Sequence, residues 1–182
     1  MKFNIQTIVV AIILSLGFSA SASAQVFTSK NTVTVSASGA YIQSGGMIGV
    51  EGSYYVCNKP LFVFTGLNYT FRKPFPDNRQ NDLLVQIGAG WTFPLKKDKG
   101  WTISPLLALA YDHVSVSNVK LGLEKQFNFG LTYGGQIEKS FKNTWTVGVF
   151  GKQLNTFTGS VKINDFFCGV SVKKAFNTFK YK

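Results

Sequence analysis

From residue 32 onward, apolar and polar side chains alternate with a period of two, in segments separated by turn residues. A period of two sends successive side chains to opposite faces of a strand, so each such segment is an amphipathic strand and not a helix. In residues 82–93, Leu83, Val85, Ile87, Ala89, Trp91 and Phe93 share one face, while Leu84, Gln86, Gly88, Gly90 and Thr92 share the other. The same split recurs in 101–113, where Pro105 on the apolar face predicts a bulge or local fraying, and in 125–141, where Phe127, Phe129, Leu131, Tyr133, Ile137 and Phe141 oppose Gln126, Asn128, Thr132, Gln136 and Glu138. With 32–42, 47–57, 61–71, 144–154 and 165–176, the pattern predicts eight strands. Helical periodicity is absent, and Gly (18), Phe (17) and the β-formers Val, Thr and Tyr recur in short runs.

Alternation alone does not say which face is inside, since a soluble barrel turns its apolar face inward. Three features place the apolar face outward, against lipid. The polar face is rich in glycine (Gly49, Gly66, Gly88, Gly90, Gly130, Gly134, Gly148, Gly169), as a narrow lumen requires, whereas a solvated exterior favours Lys, Glu and Thr. Aromatic residues cluster at segment ends, with Trp91, Phe93, Trp101, Phe141, Trp145 and Phe176 in one ring and Tyr41, Tyr69, Phe71, Phe127 and Phe166 in another. Connections alternate in length: residues 58–60, 96–100 and 142–143 are tight, whereas 72–81, 112–124 and 155–164 are predicted as long loops. Short periplasmic turns and longer external loops characterise outer-membrane barrels. The fold class is therefore all-β, an eight-stranded antiparallel up-and-down transmembrane β-barrel. An even strand number puts both termini on the periplasmic side.

The N-terminus fits this destination. Lys2 precedes an apolar run from Ile8 to Phe18 and the triplet Ala22-Ser23-Ala24, a secretory signal pattern with cleavage expected before Gln25. The run falls short of the about 20 residues that a membrane-crossing helix needs. The division is thus a signal peptide at 1–24 and one barrel domain at 25–182, exported to the outer membrane of a Gram-negative-type envelope. The chain carries 19 Lys and Arg against 8 Asp and Glu, a formal charge of +11. The basic residues sit mostly in turns and at strand ends and form no stripe interleaved with aromatics, so nucleic acid is not expected as a partner. Lipid headgroups and lipopolysaccharide phosphates are the expected counter-charges.

The signal peptide, the length of the remaining chain and its eight amphipathic segments together resemble the OmpA/OmpX-type small outer-membrane barrels over essentially the whole of residues 25–182. That resemblance implies a partnership with the barrel-assembly machinery, which often reads a terminal aromatic residue. Here the last segment runs Gly169-Val170-Ser171-Val172-Lys173-Lys174-Ala175-Phe176, and six further residues follow it, including Phe179 and Tyr181. Members of this architecture serve as adhesins, anchors, narrow pores and lipid-modifying enzymes, so fold does not decide function.

Glu51, Glu138, Lys152 and Lys173, with Asp112 as a further member, share the lumen parity, and buried charges require partners. They are expected to pair as a plug, the alternative being a polar path for small solutes. Arg72, Lys73 and Arg79 are expected to act as loop contacts to lipopolysaccharide or an external partner. His113 and Ser115 lie on the outer face near headgroup level, a pattern similar to the His-x-Ser pair of outer-membrane lipid A deacylases, with Glu124 as the nearest acid. No oxyanion-hole signature accompanies it, and Glu124 takes lumen parity if its strand extends that far. Cys57 and Cys168 are assigned to opposite ends of the barrel, beyond the roughly 7 Å limit for a disulfide, and are expected as free thiols. No metal or cofactor motif is present. The function expected is that of a non-enzymatic, monomeric surface barrel, with a narrow channel and a deacylase as alternatives.

Overall fold

The computed structural model describes residues 32–43, 45–56, 60–75, 78–96, 100–118, 122–141, 145–158 and 164–177. The expected signal peptide, Cys57 and the residues after Asn177 lie outside the described residues. Among the described residues nine strands are formed: β1 (Thr32–Ile42), β2 (Gly45–Tyr55), β3 (Leu61–Phe75), β4 (Asn78–Trp91), β5 (Phe93–Lys96), β6 (Trp101–Asn118), β7 (Gly122–Phe141), β8 (Trp145–Thr156) and β9 (Asn164–Asn177). Each pairs antiparallel with its neighbours in the order β4-β3-β2-β1-β9-β8-β7-β6-β5, and β4 also pairs with β6. The sheet is therefore closed, with β4 and β5 forming one stave of an eight-stranded up-and-down barrel. The seam is the β1–β9 ladder, which runs from Thr32↔Asn177 to Ile42↔Phe167 and leaves no free edge.

The break between β4 and β5 has a local cause in β6. The β4–β6 ladder ends at Gly90↔Leu106 and resumes as Phe93↔Ile103, so the gap falls opposite Pro105, which has no N–H to donate. The expected irregularity thus appears in the partner strand, while the β6–β7 register runs unbroken through Pro105↔Gly135.

The apolar face points outward. Ile87, Leu109 and Val170 are 66, 68 and 58% exposed, whereas Thr34, Gln86 and Glu138 on the other face are almost fully buried. In water such an exterior would be a large apolar patch without a partner; in a bilayer it is solvated by lipid tails, while the closed ladder satisfies the backbone. Substituting Leu109, flanked in register by Ile87 and Leu131, therefore has a depth-dependent cost. Leu109→Arg is expected to destabilise the barrel by about 2–4 kcal/mol, and Ser115→Arg, nearer the outer end, by about 0–1 kcal/mol, in denaturant unfolding from bilayers.

The outer end departs from expectation. The sequence pattern predicts long loops at 72–81 and 112–124, yet β3 continues to Phe75, β4 starts at Asn78, β6 reaches Asn118 and β7 starts at Gly122. Beyond the aromatic ring both faces carry polar side chains, so the hydrophobic alternation fades while the hydrogen-bonded ladder continues, as in Arg79↔Ser117 and Ser115↔Lys125. Glycine admits close approach inside the barrel. A Cβ on Gly90 would lie 2.3 Å from the ring of Phe62, and one on Gly134 would lie 2.1 Å from the Gly151 carbonyl oxygen.

Candidate functional site: the lumen and the outer rim

Parity along each strand decides what enters the lumen, and the closed register then brings together residues far apart in sequence. At the outer mouth, the Arg72 guanidinium lies between two carboxylates. It is paired with Asp82 through one nitrogen and with Asp165 through the other at 2.6 Å. Thr70 Oγ1 donates to Asp82 at 2.8 Å, and Gln80 Nε2 donates to the other Asp82 oxygen at 3.0 Å. Arg72, expected as a loop contact, is thus an inward-facing strand residue. Its position continues the lumen parity of Asn68 and Thr70, which becomes visible once β3 is extended beyond residue 71.

Below this layer, an apolar cluster of Ile42, Met47, Leu84, Val114, Phe150, Leu154 and Phe167 fills the lumen. A polar layer follows, in which Asn68 Nδ2 donates to Gln86 Oε1 at 3.2 Å and Gln86 Nε2 donates to Thr132 Oγ1 at 2.7 Å. Two ion pairs also lie within the lumen. Lys152 Nζ lies 3.2 Å from Glu51 Oε2, and Lys173 Nζ lies 2.8 Å from Glu138 Oε1. The Lys152 ammonium also lies 5.5 Å from the ring centre of Phe64 and 5.3 Å from that of Phe150. Tyr55, Phe62, Phe64, Leu106 and Ala108 close the lumen toward the terminal end. Between the two apolar clusters is a cavity of about 20 Å³, lined among others by Glu51, Asn68, Gln136, Lys152 and Lys173, room for about one water molecule.

The structure therefore places Glu51, Glu138, Lys152 and Lys173 together as two pairs. Asp112 faces the lumen and is 1% exposed, but its charged neighbours are Asp82, Arg72 and Asp165 of the outer mouth. Sequence reasoning missed both the Arg72 clamp and the apolar clusters. The signal for the clusters lies in doubled apolar steps such as Leu83-Leu84, Leu106-Leu107, Val149-Phe150 and Phe166-Phe167, where one residue faces lipid and its neighbour the lumen.

On the outside, every described outward-facing charged side chain is basic. Lys73 on β3, Arg79 on β4 and Lys125 on β7 are exposed at the outer end, on the side of the barrel where β6 carries His113 and Ser115. The described acids Glu51, Asp82, Asp112, Glu138 and Asp165 all point inward. His113 packs at 4.6 Å between ring centres on Phe127, and Ser115 faces Lys125 in register; the Glu124 side chain lies outside the described residues. Cys168 is exposed on β9.

A closed eight-stranded cylinder with an apolar exterior and an ion-paired interior is the architecture of small outer-membrane barrels. The chain belongs to the outer membrane protein β-barrel domain family, whose model matches residues 10–173. Among solved structures it is similar to the N-terminal β-barrel domain of Pseudomonas aeruginosa OprF, at 15% identity and a TM-score of 0.62, covering 81% of this chain and 98% of that one. A major outer membrane protein from Thermus thermophilus is similar at 10% identity and a TM-score of 0.61, covering 81 and 100%. Ail, the attachment invasion locus protein of Yersinia pestis, is similar at 13% identity and a TM-score of 0.55, covering 80 and 99%. At such identities the likeness is one of fold. Comparison with curated proteins by sequence returns no match.

Proposed function

We propose that this protein is a non-enzymatic, monomeric surface barrel, exported by its N-terminal signal peptide, whose outer rim engages the phosphates of lipopolysaccharide. The observation that carries the reading is the division of charge among the described residues: the acids are turned inward, four of them paired with Arg72, Lys152 and Lys173, while the outward rim carries Lys73, Arg79 and Lys125. Cations next to Tyr69, Phe71 and Phe127 sit where headgroup phosphates lie. Ail has been solved with the heparin analogue sucrose octasulfate; that complex belongs to Ail, and the basic rim alone supports an anionic external ligand here.

The packed lumen weighs against a channel, because an eight-stranded interior is about filled by its own side chains and the cavity beside Glu51, Lys152 and Lys173 is of about 20 Å³. A silent planar bilayer agrees with this reading; steady conductance altered by Lys152→Ala would favour the channel. Lipid A mass unchanged by expression of the protein counts against a deacylase using Ser115.

The test is binding of lipopolysaccharide to the purified full chain in detergent. The variant Lys73→Gln/Arg79→Gln/Lys125→Gln is expected to bind at least about tenfold more weakly, since each basic residue at such a surface contributes about 1 kcal/mol. Enzymatically dephosphorylated lipopolysaccharide is expected to show the same loss with the unaltered protein. Equal affinity of the variant, or indifference to the phosphates, would sink the proposal.

A further inference from the structure

The opposite end of the barrel carries a second set of outward cations that lipopolysaccharide cannot reach. The Thr32↔Asn177 end of the β1–β9 seam, where the first strand begins and the last strand finishes, lies at this end, which marks it as periplasmic in an even-stranded barrel of this kind. Here β7 presents Lys139 and β9 presents Lys174, with Trp145 of β8 between them. Trp101 pairs with Lys139 across β6–β7, and Trp145 pairs with Lys174 across β8–β9. Both ammonium groups lie at the height of the indoles. Lys139 Nζ is 5.4 Å from the ring centre of Trp101, and Lys174 Nζ is 4.7 Å from that of Trp145 and 6.0 Å from that of Phe176.

The register sets the spacing. Lys139 stands level with Val147 and Val172, two strands across and two residues along from Lys174. At about 4.8 Å between strands and about 3.3 Å per residue, the Cα atoms lie roughly 12 Å apart. Two lysine side chains can close that gap on one phosphate-bearing headgroup, with the Trp145 ring beneath it. Trp and Tyr belts anchor any barrel at the interface without regard to lipid charge; paired cations held at indole height add a preference for anionic lipid.

We infer that Lys139 and Lys174, flanking Trp145, form a binding site for the headgroup of an anionic phospholipid in the periplasmic leaflet. This site does not depend on the outer-rim reading, because it uses none of the same residues. All three tryptophans of the chain, Trp91, Trp101 and Trp145, face lipid at this end, so fluorescence reports on it selectively. The experiment reconstitutes the full chain in phosphatidylcholine vesicles containing either brominated phosphatidylglycerol or brominated phosphatidylcholine, and compares quenching. The unaltered barrel is expected to prefer phosphatidylglycerol several-fold, up to about tenfold, with the preference falling as salt is raised. Lys139→Gln/Lys174→Gln should abolish the preference, Lys139→Arg/Lys174→Arg should retain it, and Lys73→Gln/Arg79→Gln/Lys125→Gln should leave it unchanged. A heat-modifiable band on a detergent gel verifies that each variant is folded. Equal quenching by the two lipids in the unaltered protein, or a preference that survives the glutamine pair, overturns the inference.

Discussion

Glu138→Ala is expected to destabilise the barrel by about 3–5 kcal/mol, because it leaves the Lys173 ammonium buried in the lumen without its carboxylate partner. Glu138 and Lys173 are each 2% exposed. Lys173 also lies 5.9 Å from the ring centre of Phe62 and cannot easily reach water past the apolar cluster below it. Hydrophobic replacement of both partners has a different outcome. Glu138→Leu/Lys173→Met removes the desolvation cost together with the attraction, and stability should return to near that of the unaltered protein. Denaturant unfolding of the two variants in the same lipid, followed by tryptophan fluorescence, checks both statements. If the single and double variants were equally destabilised, the pair would not be acting as a buried ion pair, and the side chains would matter only for the volume they fill.

Arg72→Ala should come next in size, again by about 3–5 kcal/mol, since it leaves Asp82 and Asp165 facing each other without a cation. Asp112, one layer down, shares their environment, so three carboxylates would then crowd the outer mouth. The clamp joins β3, β4 and β9, with 93 residues separating Arg72 from Asp165. Its loss should therefore loosen the outer ends of all three strands together, seen as faster amide exchange near Thr70, Asp82 and Phe167. Arg72→Lys is expected to recover only part of the stability, because an ammonium cannot present the two-sided fork that reaches both carboxylates. Full recovery by lysine would show that charge alone holds the mouth closed.

The two variants separate the roles of the polar interior. An eight-stranded cylinder has little volume to fill, and here ion pairs alternate with apolar layers along the axis: the Arg72 clamp, the Ile42–Phe167 cluster, the Glu51–Lys152 and Glu138–Lys173 pairs, then the Tyr55–Phe64 cluster. The paired acids are matched inside, so the cations on the exterior face the envelope. The basic composition, which first suggests a nucleic-acid partner, becomes a statement about lipid once the orientation of each strand is known.

Much of this is legible in the order of residues. Strict alternation in residues 82–93 and 125–141 settles strand identity, because no helix keeps that period. Glycine on the polar face and aromatics at segment ends settle which face meets lipid, because only a narrow lumen favours the first and only a bilayer interface the second. The lumen parity of Glu51, Glu138, Lys152 and Lys173 follows from counting by twos. Which acid takes which base does not, since pairing depends on the register between non-neighbouring strands and on how far each side chain reaches across the cylinder. The Arg72 clamp needed the tertiary structure for the same reason. At the rim, hydrophobic contrast disappears although backbone pairing persists, so sequence patterning alone ends the strands too early and assigns an inward arginine to a loop. Periodicity is a local property carried by each residue and its second neighbour, whereas partnership inside a closed barrel is decided only when the last strand meets the first.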